Sequence, residues 1–180
     1  MQAELRVILE EAAARGDLVM VDTDVLLAAT NTARTDHEAS RCVFSRAPAE
    51  GIHLATCGQV LREYLVVATR PVAVNGLGLG APDALKNLAW FRKRMVYFEE
   101  LEAVHRKLVA LIESTGVSGK RVHDANIVAV MQLFGIRYLV TNNPEDFSSL
   151  PGIDVVAPGE FCNRWTDVDF ANAADAGARN

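Results

Sequence analysis

Residues 122–147, VHDANIVAVMQLFGIRYLVTNNPEDF, constrain the fold more than any other stretch of the chain. Ile127, Val128, Met131 and Phe134 recur at helical spacing behind Asp124, so the segment begins as a helix with one apolar face, opened by an acid. Gly135 can end that helix in the left-handed conformation, and residues 137–141, RYLVT, have the β-branched and aromatic content of a strand buried inside a sheet. Asn142, Asn143, Glu145 and Asp146 follow at once. In open parallel sheets the carboxyl ends of the strands form the crevice where ligands bind. Asp124 and Asp146 are both candidates to face it.

The remainder alternates in the same way. Residues 3–15 form an amphipathic helix with Leu5, Ile8 and Ala12 on one side. The run LVMVDTDVL at 18–26 begins as a strand and puts Asp22 at or just past its carboxyl end. A helix over 36–46, a strand over 52–56 and a helix over 58–70 follow, the last turning Val60, Leu61, Tyr64, Leu65 and Ala68 inward and stopping at Pro71. Residues 72–82 read as a loop, mobile unless something docks on it, and G-L-G-L-G lacks the spacing and the Lys-Ser/Thr ending of a phosphate loop. Helices return at 83–99 and 101–115. Beyond Pro158, Phe161, Trp165 and Phe170 are spaced for docking, and the last ten residues read as frayed. The pattern predicts a three-layer α/β/α domain with a mainly parallel central sheet. It divides into an N-terminal helical extension (1–16), one α/β domain (17–158) and a C-terminal tail (159–180).

Composition narrows the classes. A chain of 180 residues with 50% hydrophobic content can bury a real core, and no stretch has the apolar length of a membrane span. The acidic N-terminus lacks a signal-peptide cleavage pattern. Cys42, Cys57 and Cys162 are odd in number and form no C-x-x-C pair, which favours a reduced, cytoplasmic setting and argues against a zinc site. A net charge of −5 gives no bulk attraction for nucleic acid, so any such binding must be local or metal-assisted.

Four acids qualify for the carboxyl edge of the sheet. Asp22 follows the first strand, Glu63 lies one turn into a helix after a strand, Asp124 opens a helix, and Asp146 follows the last strand. Each also has a plain structural use. Asp22 and Asp124 suit helix starts, and Asn143-Pro144-Glu145-Asp146 reads as a capped, acidic first turn. Glu63 suits a helix surface, yet no lysine or arginine answers it at i+3 or i+4. Their joint placement is what matters. Two carboxylates about 5 Å apart repel by roughly 3 kcal/mol at an effective dielectric near 20, and a cation removes that penalty. An all-oxygen cluster without histidine or thiolate suits Mg2+ or Mn2+, which can acidify a water and neutralise a leaving oxygen.

VMVDTDVLLAA, QVLREYLVVATRP, VHDANIVAVMQLFGIRYLVTNNPEDF and LPGIDVVAP together resemble the PIN-domain ribonucleases, specifically the VapC-like toxins of toxin-antitoxin pairs, over residues 17–158. The resemblance implies a small α/β/α fold, frequent homodimers, a cognate antitoxin protein and metal-dependent endonucleolytic cleavage of RNA. It makes Asp22, Glu63 and Asp124 the first three metal carboxylates. Where many members have the fourth aspartate this chain has Asn143. A subset with asparagine there carries an Asp-Phe pair downstream, as Asp146-Phe147 does here. Asp146 is therefore taken as the fourth acid and Asn143 as a neutral neighbour or ligand, which leaves open whether one or two ions act. Thr141 is expected to hydrogen-bond to Asp22 or to a substrate phosphate.

RNA contact must come from local basic groups, with Arg62 and Arg70 on the Glu63 helix and Lys120, Arg121 and His123 before Asp124 as candidates to grip phosphates without reading sequence. Trp90 and Phe91 are assigned to the core or a dimer interface. Two other readings stay open. One is a non-catalytic PIN-like module that binds RNA or protein, for which Asn143 argues. The other is a phosphatase of the haloacid dehalogenase type, suggested by Asp22-Thr23-Asp24 but lacking any lysine after Thr141.

Overall fold

The computed structural model describes residues 18–164. The expected helix over 3–15 and the aromatics Trp165 and Phe170 lie outside the described residues. Five strands, β1 (Leu18–Val21), β2 (His53–Cys57), β3 (Met95–Phe98), β4 (Tyr138–Val140) and β5 (Asp154–Val156), form one sheet in the order β3-β2-β1-β4-β5, with every neighbouring pair parallel. The intervening helices are α1 (Thr23–Thr30), α2 (His37–Ala49), α3 (Gly58–Thr69), α4 (Ala81–Arg92), α5 (Glu102–Thr115), α6 (Arg121–Phe134) and α7 (Pro158–Arg164).

β1 is central, and all four of its residues are buried, as a strand covered on both faces requires. From β1 the chain winds outward to β2 and β3, then returns to β4 beside β1 and finishes at β5. Right-handed crossovers put α1 to α4 on one face, and the reversed direction puts α5 and α6 on the other. The result is the predicted three-layer α/β/α arrangement. The direction reverses between β1 and β4, which opens a crevice at their carboxyl ends.

Four expectations need correction. The helix over 83–99 stops at Arg92, and Met95–Phe98 is the edge strand β3, paired with β2. Its Met-Val-Tyr-Phe sequence favours a pleated surface, and tertiary pairing overrides the helical spacing that precedes it. Residues 154–156, assigned no structure above, form β5 through parallel pairing with β4. The 72–82 loop is docked: Leu77, Gly78 and Leu79 donate their N–H groups to the carbonyls of Val67, Arg70 and Ala68, satisfying the end of α3. Cys42 and Cys162 are joined by a disulfide that ties α7 to α2, leaving Cys57 free and buried. Phe161 on α7 is fully buried. Phe91 packs with Phe44 and Tyr64, whereas Trp90 is 42% exposed beneath the Arg94 guanidinium.

Candidate active site

β1 and β4 pair with Val21 opposite Val140, so the residues that follow, Asp22 and Thr141, emerge side by side at the crevice. The Asp22 N–H donates to Val140 O (3.0 Å) and prolongs the pairing by one step. Asp22 is also the N-cap of α1, its Oδ1 accepting from Thr23 N at 2.6 Å. Capping and convergence on the crevice are thus compatible uses of one carboxylate. The buried Thr141 hydroxyl donates to Asp22 Oδ2 at 2.8 Å.

The other acids arrive from separate elements. Glu63 lies on α3, which follows β2, and its Oε2 accepts from the Thr23 hydroxyl at 3.0 Å. Asp124 occupies the first turn of α6, and Asp146 the 3-10 turn Pro144–Phe147 after β4. Electrostatics register their proximity. Burial pushes the Asp124 carboxyl up to about 6, with Asp146 and Glu63 adding to the rise, while Arg121 and His123 oppose it. Burial likewise holds Asp22 well above the usual carboxylate range, with further contributions from Asp24 and Asp124, against hydrogen bonds from Thr141 and Thr23. Asp124 therefore lies within electrostatic reach of Asp22, Glu63 and Asp146.

Asp24 belongs to the same neighbourhood and was missed as a site residue by sequence reasoning. Its Oδ2 accepts from Asn142 N (3.0 Å) and lies 3.2 Å from the Thr141 hydroxyl, while its buried Oδ1 has no hydrogen-bond partner. Burial pushes it up to about 6, against the Asn142 N–H and the nearby Thr141 hydroxyl. The D-T-D spacing was the available signal, since i and i+2 across a strand end and helix start can face one crevice. Gln59, Thr23 and His123 were also missed as partners of Glu63; the Gln59-to-Glu63 spacing of four on one helix was the signal.

Asn143 is exposed, and its N–H donates to the Thr141 hydroxyl oxygen at 3.0 Å. The proposed phosphate grips differ in placement. Arg62 is ion-paired with Glu100 at 2.9 Å. Lys120 is exposed at the start of α6. Arg121 clasps the Asp146 carbonyl (3.1 Å) and the Ser149 hydroxyl (2.7 Å), with its buried Nε unpartnered.

The donor set fits a hard divalent cation. It consists of carboxylate oxygens, two of them held protonation-prone by burial and neighbouring acids, and among the described residues no lysine or arginine side chain is ion-paired with Asp22, Glu63, Asp124 or Asp146. Among the described residues, no group of three or more carboxylate, imidazole or thiolate side chains is already drawn together around a point that could hold an ion.

No protein-family model matches the sequence, and no curated protein matches it. Solved structures do match in fold. VapBC2 from Rickettsia felis, bound to a DNA fragment from its promoter, is 16% identical with a TM-score of 0.57, covering 78% of this chain and 98% of that one. VapBC-1 from nontypeable Haemophilus influenzae is 13% identical with a TM-score of 0.55, covering 83% and 99%. VapC20 of Mycobacterium tuberculosis, a Sarcin-Ricin loop cleaving toxin, is 20% identical with a TM-score of 0.50, covering 67% and 86%. At such identities the likeness is one of fold, and it agrees with the sheet order and layers described above. The chain has the three-layer, all-parallel PIN-like fold of the VapC-type structures to which it is similar.

Proposed function

We propose that this chain is a metal-dependent endoribonuclease, the toxin of a toxin-antitoxin pair. The observation that carries the reading is that Asp124 lies within electrostatic reach of Asp22, Glu63 and Asp146 beside the switch between β1 and β4. The fold is shared with a toxin described as cleaving the Sarcin-Ricin loop and with VapBC structures, which supports RNA as substrate and an antitoxin protein as partner. Homodimerisation and a cytoplasmic setting belong to the same reading. Among the described residues no helix is long and apolar enough to cross a membrane.

Asp22, Glu63, Asp124 and Asp146 would hold one or two Mg2+ or Mn2+ ions, with Asn143 as a neutral neighbour. When bound, such an ion supplies positive charge at the scissile phosphate and acidifies a water. The chain's own residues do the rest. Thr141 fixes the Asp22 carboxylate through one short hydrogen bond, and Thr23 orients Glu63. Arg121 holds the Asp146 turn in place, and Lys120 stands exposed to take a phosphate as a positioning contact.

Single-stranded RNA incubated with the purified protein should be cut in Mg2+ or Mn2+, spared in chelator, and spared by Asp22→Asn. Cleavage that is unaffected by chelator and by Asp22→Asn would contradict the proposal. The second reading, a non-catalytic module, is favoured by the absence of a preformed three-carboxylate cluster among the described residues and by Asn143. It predicts RNA or protein binding with no cleavage under any metal.

A further inference from the structure

Glu63 differs from the other three acids in being carried well inside a helix on a long side chain, so the sheet does not fix where its carboxylate points. Two contacts do. Its Oε2 accepts from the Thr23 hydroxyl at 3.0 Å, and its Oε1 accepts from the Gln59 carboxamide one turn earlier on α3. The same Gln59 Nε2 lies 3.1 Å from Nδ1 of His123, on the first turn of α6 directly before Asp124. A rotated amide would set its carbonyl oxygen against the Glu63 carboxylate, so Nε2 faces Glu63 and lies beside His123 Nδ1 as well. The base of this arrangement is anchored too, because the Gln59 backbone N–H donates to Glu100, whose second oxygen binds Arg62. Gln59 thus spans the two helices that supply Glu63 and Asp124.

We propose that Gln59, locked by His123, is a positioning residue that aims the Glu63 carboxylate toward Asp124 for divalent-cation binding. This rests on the reading of the acids as a metal site. Outer partners that orient a ligand typically contribute 10- to 100-fold in metal affinity.

The test is calorimetric titration of Mn2+ into the full-length protein. Gln59→Met, which keeps volume and removes the amide, should weaken Mn2+ binding about tenfold with an unchanged melting temperature. Gln59→Ala, well tolerated in a helix, repeats the test should the first variant fold poorly. His123→Ala should weaken binding about threefold, and the double variant should match Gln59→Met alone, because His123 acts through Gln59. Wild-type Mn2+ affinity in Gln59→Met, alongside a large loss in Glu63→Gln, would overturn the positioning role while leaving the metal site intact. Independent, multiplying effects of the two variants would overturn the locking by His123. Wild-type affinity in Glu63→Gln would instead overturn the metal-site reading itself.

Discussion

Thr141 has one hydroxyl proton and two carboxylates in reach. The 2.8 Å contact to Asp22 takes it, and the 3.2 Å contact to Asp24 is left as a close approach between oxygens. Thr141→Val keeps the shape but strips a buried Asp22 oxygen and the Asn143 N–H of their partner, so it should cost about 1–3 kcal/mol in denaturant unfolding. Asp124 gives the opposite sign. Its carboxyl is raised to about 6 in the fold, so the stability tied to it is full below about pH 4 and lost as pH rises through 6. Asp124→Asn should therefore stabilise the ion-free protein at pH 7.5 by about 1 kcal/mol, after screening of a half-exposed group, and leave it unchanged at pH 4. The same variant should lose RNA cleavage. A variant that melts early yet cuts normally would make Asp124 a helix-start residue and nothing more. Asp22 and Asp124 are legible in the sequence because a strand end and a helix start leave a side chain few directions. Gln59 and Asp24 stand at suggestive spacings from Glu63 and Asp22, but their roles show only once His123 and Thr141, distant in sequence, lie beside them.

At the level of elements, periodicity reads well where burial is complete and poorly at edges. β1 and α6 show their apolar faces directly, and Gly135 ends α6 with φ of 69° as its position suggests. β3 and β5 are short edge strands defined by pairing rather than by pattern, which is why the residues of one read as helix and those of the other were assigned no element. The glycine loop is the third case. A Cβ on Gly76 would lie 1.9 Å from the Arg70 carbonyl oxygen, a backbone atom that cannot yield without moving the turn. Gly76→Ala should cost about 1–3 kcal/mol by the overpacking it forces, measured as a lower denaturation midpoint. An unchanged midpoint would mean the loop is not docked on α3. The Cys42–Cys162 link joins elements 120 residues apart, a pairing that cysteine count and spacing do not reveal.

For the whole molecule, topology gathers what the sequence spreads over more than a hundred residues. A sheet that winds outward from β1 and returns beside it delivers Asp22 and Thr141 to one crevice, and the flanking helices and turn bring Glu63, Asp124 and Asp146 to its rim. With a net charge of −5, the proposed attraction of phosphate would have to come from a cation and a few local basic groups rather than from the surface at large. The fold class was legible from alternating strands and helices. The mutual placement of the acids was not, because it depends on elements far apart in sequence coming to one edge of the sheet. Anomalous diffraction from crystals grown with Mn2+ tests this most directly. A manganese peak within ligand distance of Asp22 and of at least one of Glu63, Asp124 and Asp146 is the predicted result. A saturating soak that leaves the crevice without a peak, or places manganese away from Asp22, would contradict it.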